Sequence, residues 1–245
     1  MTRDYTMPVL PGTGESDYAR YMRTDTLLAL QRDPADVVHR DELLFQTVHQ
    51  STELWLKLAV SDVAEAVRIV EREGLSATAE LDDAICLLTR GAQCLRMITD
   101  QLDIMRFLSP WDFQLIRTVL GNGSGFESPG WNGVREVCRS LEAALTSAVR
   151  GGEIDLVEVY KTGRPTALYR LCEAVIEWDE RISIWRVEHY KMATRIIGHQ
   201  VIGTKGTPVD TLAKLISHKF FPDLWRVRTV LTETGPMSTD WVAGS

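Results

Sequence analysis

The chain has 245 residues, 44% apolar and 25% charged, with 17 Gly and 9 Pro, which excludes fibrous and disordered classes and leaves room for a sizeable core. A net charge of -7 with no Lys/Arg cluster argues against a nucleic-acid partner. No stretch reaches the length of a membrane span, and the first residues lack the apolar core of a signal peptide.

Residues 1–16, rich in Pro, Gly and Thr, read as a flexible N-terminal arm, and 17–245 as a single helical domain. Ser16 or Asp17 is suited to cap a helix reaching about residue 31, where Asp33-Pro34 ends it. From about residue 36 to residue 73 the pattern predicts a long helix stopped by Gly74. Over 41–58 that helix is apolar nearly all round. Leu44, Val48, Ser51, Trp55 and Leu58 make one stripe, and Phe45, His49 and Thr52 a second. An imidazole on the second stripe is either a satisfied core histidine or part of a cavity lining.

A second long helix follows Ser76, with Leu81, Leu88, Leu95 and Ile98 on one face. Ser109-Pro110 opens another, reaching Leu120. Residues 121–130 carry the strongest loop signal. Helices are expected near 133–149 and 153–161, then a long one from 165 to about 197. A glycine-rich loop at 203–208, a helix from 209 to about 219 and a short one from 221 complete the chain. Strand alternation never persists. The expected fold is all-α: a single-domain bundle of long antiparallel helices, an architecture that places cofactors between facing helices.

Cys86, Cys94, Cys138 and Cys172 lack CxxC spacing and read as thiols of a reducing cytoplasm. The five histidines show no HxxxH or ExxH pairing, so a bare zinc or di-iron centre is disfavoured. A haem needs only one imidazole ligand and an apolar slot. His189 shares a helix face with Trp185, Met192 and Ile196. It reads either as a core histidine bonded to a neighbour or as the ligand of a flat cofactor. Arg117, four residues after Phe113 on an apolar helix, either snorkels to solvent or pairs with a buried anion.

These segments resemble the tryptophan 2,3-dioxygenase family, haem enzymes that open the indole ring. The run 41–58 resembles the family's signature helix, whose phenylalanine and histidine face bound substrate and match Phe45 and His49. The run 178–198, with Trp185, Arg186, His189 and Gly198 in order, resembles its haem-ligand helix. The resemblance makes His189 the axial ligand of the iron and puts Trp185 in the haem pocket. Residues 108–128 resemble the substrate-anchoring segment. Arg117 then clamps the amino-acid carboxylate, Phe113 borders the indole, and Ser124 and Gly125 lie at the substrate and haem edge. Thr204 matches the hydroxyl of a glycine-rich lid, a partner for the zwitterionic end of the substrate.

Tyr18 and Tyr21 match tyrosines that reach a neighbouring subunit's pocket, which implies a homotetramer. The resemblance runs from Tyr18 to about Arg228. The chain is shorter than family members between the Ser124 loop and the Trp185 helix, and Gly123, Lys205, Thr207 and Pro208 depart from the family pattern. Implied are haem b, ferrous in the active state, O2, and L-tryptophan or a substituted tryptophan opened to an N-formylkynurenine-type product with His49 catalytic. Two alternatives stay open: monooxygenation to a hydroxylated indole or oxindole, and a non-catalytic haem or indole sensor.

Overall fold

The computed structural model describes residues 7–75, 78–162, 166–199, 201 and 209–236, and every regular element among them is helical. Two short helices, α1 (Asp17–Met22) and α2 (Thr24–Leu28), precede α3 (Glu42–Glu73) and α4 (Thr78–Asp100). A 3-10 segment (Gln101–Phe107) leads to α5 (Pro110–Arg117), and a 3-10 turn (Gly125–Glu127) to α6 (Pro129–Gly151). Then come α7 (Leu156–Lys161), α8 (Ala167–Ile197), α9 (Asp210–Ile216) and α10 (Pro222–Thr234).

Several boundaries differ from the sequence reading, each for a local reason. Ser16 caps the first helix as expected, but Arg23 sits in the left-handed region at φ 53 and splits the predicted helix into α1 and α2. In the described part of the N-terminal arm, the Val9 and Leu10 N–H groups donate to the Asp17 carboxylate at 2.9 and 2.8 Å. Helix α3 begins at Glu42 instead of near 36. The Glu42 carboxylate accepts the Val38 and His39 N–H groups and fixes a turn there. Its end is as predicted, with Gly74 at φ 67. Helix α5 stops at Arg117 because 118–120 tighten into bonds between residues three apart. Helix α6 starts at Pro129, not near 133, since Ser128-Pro129 repeats the cap chemistry of Ser109-Pro110. Helix α9 ends at Ile216, short of the expected 219, and α10 is a full 13 residues.

Four long helices form the bundle, with α3 between α4 and α6, and α4 against α8. Ser51 bonds Gln101 and Asp62 pairs with Arg90, so α3 and α4 run antiparallel. Trp131 meets Trp185 and the Trp178 N–H reaches Cys138 Sγ, so α6 and α8 also run antiparallel. Across the two pairs the helices run in the same sense. Glu53 and Val60 of α3 lie beside Gly130 and Gly133 of α6, and Asp82 of α4 pairs with Arg170 of α8. The start of α3, the start of α6 and the end of α8 therefore meet at one end of the bundle.

The main core fills the middle, centred on Trp178, which is fully buried; Gly91 leaves room for its ring, since a Cβ there would lie 3.2 Å from it. A second apolar cluster, Val48, Met105, Leu108, Ile116 and Ile196, closes the end where α3 begins. No helix is long and apolar enough to cross a membrane among the described residues.

Candidate active site

The end of the bundle where α3 starts gathers the two histidines singled out from sequence. His49 Nδ1 lies 2.7 Å from the Phe45 carbonyl oxygen. A carbonyl can only accept, so Nδ1 carries the proton and Nε2 is left as an acceptor in the neutral ring. Desolvation lowers the His49 pKa, opposed by the Phe45 carbonyl and by the charge of Glu53, so the ring is neutral at pH 7. His49 as a residue is nonetheless exposed to solvent. The Phe45 ring packs on His49 at 4.1 Å and on Phe113 of α5 at 5.9 Å, above the second apolar cluster.

On α8, Trp185 and His189 are one turn apart and stack nearly parallel, with centroids 4.6 Å apart and planes 11° apart. Trp131 of α6 packs on Trp185 at 4.0 Å with the planes tilted by 40°. Desolvation, and then the nearby His49, push the His189 pKa down to about 4. His189 is thus unprotonated at neutral pH, the state in which an imidazole ligates iron. The Trp185 indole N–H is buried and meets no protein acceptor among the described residues. A neutral imidazole, two flat aromatic neighbours, an orphaned donor and an apolar wall fit a haem.

The structure brings Phe45, His49 and Phe113 together, and Trp185 with His189. Arg117 lies one turn beyond Phe113 on α5 and is half-buried. Ser124 caps the Gly125–Glu127 turn: its Oγ accepts the Phe126 N–H and its own N–H donates to Glu127 at 2.9 Å. Gly125 is exposed. Tyr18 and Tyr21 stand 67% and 76% exposed on α1, with no ring contact to Phe45, Phe113 or His49 among the described residues. Thr204 and its loop lie outside the described residues, between Val201 and Val209, whose backbones bond at 3.2 Å.

Three further residues shape this end, and of these the sequence reading marked only Arg186, as a member of the run 178–198. Glu53 bonds the start of α6. Arg186 donates to the Leu215 and His218 carbonyls at 3.0 and 3.1 Å, pinning the C-terminus of α9 to α8 beside His189. His39 accepts the Asp41 N–H at Nδ1 and faces Asp112 across 3.7 Å at Nε2, linking the starts of α3 and α5.

Comparison with known proteins gives the chain's relatives. Residues 9–137 match the family model of tryptophan 2,3-dioxygenase. The chain is 27% identical to the tryptophan 2,3-dioxygenase of Myxococcus xanthus (strain DK1622) over 275 aligned positions, covering 91% of this chain and 92% of that protein. It is 27% identical to that of Bacillus thuringiensis subsp. konkukian (strain 97-27), covering 87% and 92%. To that of Kineococcus radiotolerans it is 28% identical, covering 89% and 92%. The first alignment is longer than this chain of 245 residues, so that relative carries segments absent here.

Proposed function

The chain belongs to the tryptophan 2,3-dioxygenase family, and on that premise we propose that it binds haem b, ferrous when active, and uses O2 to cleave the indole C2–C3 bond of L-tryptophan or a substituted tryptophan. The product is of the N-formylkynurenine type. One observation carries the reading: a neutral His49 whose Nδ1 is spent on the Phe45 carbonyl offers Nε2 as an acceptor beside the Phe45 and Phe113 rings. That is the complement of an indole, a flat apolar ring with a single N–H donor.

In this reading His189 holds the haem iron through its unprotonated ring nitrogen, and Trp185 flanks it. When bound, the haem supplies the chemistry that activates dioxygen. Arg117 fixes the substrate carboxylate with its planar fork of donors, and Thr204 binds at the same zwitterionic end. Phe45 and Phe113 orient the indole, while His49 accepts its N–H and fixes which edge of the ring reacts. Ser124 and Gly125 border substrate and haem.

We further propose a homotetramer in which α1 reaches a neighbouring subunit with Tyr18 and Tyr21. Residues 17–245 act as one haem-binding domain behind the arm 1–16. The four cysteines are free thiols, three of them buried, which suits a cytoplasmic enzyme. The test is mass spectrometry of the product formed by the reduced, haem-loaded protein from tryptophan under 18O2. A ring-opened product with both labelled atoms supports the proposal. A ring-closed product with one labelled atom makes the enzyme a monooxygenase, and no oxygen uptake with any indole amino acid makes the protein a sensor.

A further inference from the structure

Glu53 stands one turn after His49 on α3, and its carboxylate holds the start of α6. Oε1 accepts the Ser128 hydroxyl and Oε2 accepts the Gly130 N–H at 2.8 Å. Ser128 is also the N-cap of α6, its Oγ accepting the Trp131 N–H at 3.1 Å. A carboxylate at this point satisfies helix-end donors and sits at the positive end of the helix dipole. Gly130 permits the close approach: a Cβ there would lie 2.7 Å from Glu53 Oε2 and 2.7 Å from Leu56 Cβ.

Two arms run from this junction to the site. The Ser128 N–H returns to the Gly125 carbonyl at 3.2 Å, so the turn capped by Ser124 hangs from the clamped helix start. In the other direction Trp131, the third residue of α6, packs on Trp185, which stacks on His189. The histidine helix of α3, the turn at the pocket edge and the aromatic stack behind His189 therefore converge on one side chain.

We propose that Glu53 is a positioning residue of this site: its carboxylate holds the Ser124 turn and the Trp131–Trp185–His189 stack in register with the His49 helix. The kinetic part of this inference rests on the proposed oxygenase activity, whereas the structural part does not, and the test reads both separately. The full-length protein is compared with Glu53→Ala, Glu53→Gln and Gly130→Ala. Glu65→Ala serves as control, because Glu65 is a half-buried residue of the same helix whose ion-pair partner among the described residues is Arg68.

The first readout is the exciton couplet of the Trp131–Trp185 pair in the circular dichroism of the haem-free protein, assigned by its loss in Trp131→Phe. The second is KM against kcat for tryptophan in the haem-loaded protein. Glu53→Ala and Gly130→Ala are expected to lose most of the couplet and to raise KM roughly tenfold with a smaller change in kcat. Glu53→Gln keeps one acceptor for the Gly130 N–H, retains the couplet and raises KM less. Glu65→Ala matches wild type in both.

A folded Glu53→Ala with the wild-type couplet and KM overturns the proposal. Should Glu53→Ala not fold, Gly130→Ala decides: its retention of the wild-type couplet and KM overturns the proposal equally. A wild-type protein inert towards tryptophan, in which Glu53→Ala still loses the couplet, leaves the clamp standing and removes the oxygenase reading alone.

Discussion

At His49 one hydrogen bond to the preceding turn decides which nitrogen is free to meet a substrate. Because burial lowers the pKa below the ordinary 6.5, the folded ring refuses a proton that a solvated imidazole accepts. The neutral, accepting form thus persists as pH falls through 6.5 and is lost only at more acid pH. The profile of kcat/KM for tryptophan is expected to show its acid limb below 6.5, and a His49 limb at or above 7 contradicts the assignment. His49→Phe keeps the ring volume, removes the acceptor and is expected to lower kcat/KM about tenfold, the worth of one neutral hydrogen bond of about 1.4 kcal/mol. This pairing was readable in advance. Phe45 with His49, and Trp185 with His189, are four apart on helices, where spacing alone puts side chains on one face. The bonds of Glu53 to Ser128 and Gly130 span 75 and 77 residues, and no local pattern encodes them.

Among the elements, the long helices were legible because their apolar stripes persist for many turns, while their ends followed single polar side chains. Glu42 delays α3, Arg23 breaks the first helix, and Ser128 with Pro129 starts α6 a turn early. How α10 attaches was not legible, since it depends in part on Asp179. That carboxylate is fully buried on α8 and accepts the Phe220 N–H at 3.1 Å and the Trp225 indole N–H at 2.9 Å. From sequence it was one acid among many in a charged helix. It is one anchor that seats α10, beside the Arg228–Glu173 pair, and Phe221 and Leu224 bury the apolar side of this segment in the main core. Asp179→Ala leaves these donors without their acceptor and is expected to cost about 3 kcal/mol in denaturant unfolding. A loss under 0.5 kcal/mol would show that α10 is held by its apolar face and by the bonds of Arg228 to Glu173 and Tyr160 instead.

For the molecule as a whole, the most exposed large apolar residues lie mainly in the first part of the chain, with Phe107 and Trp111 beyond it. Met7, Val9, Tyr18, Tyr21, Leu28 and Leu30 are each more than 60% exposed. Apolar surface of this kind marks association, in keeping with the proposed tetramer. Light scattering on the purified protein is expected to give four chains per particle, and Tyr21→Asp with Leu28→Asp to shift it towards smaller species; a monomer at micromolar concentration refutes the proposal. The all-α class followed from apolar stripes that persist for many turns and from the lack of strand alternation. The ring order of α6, α3, α4 and α8 did not, because it rests on contacts between distant segments.

The central claim is that His189, half-buried, unprotonated and stacked on Trp185, is the residue that holds the cofactor. The direct measurement is the visible absorption of haem-loaded His189→Ala after gel filtration, beside wild type and with helical content checked by circular dichroism. The expected result is a folded protein that keeps little tightly bound pigment and regains its absorption band when free imidazole is added. A folded His189→Ala that retains a full complement of haem with an unchanged spectrum would contradict it.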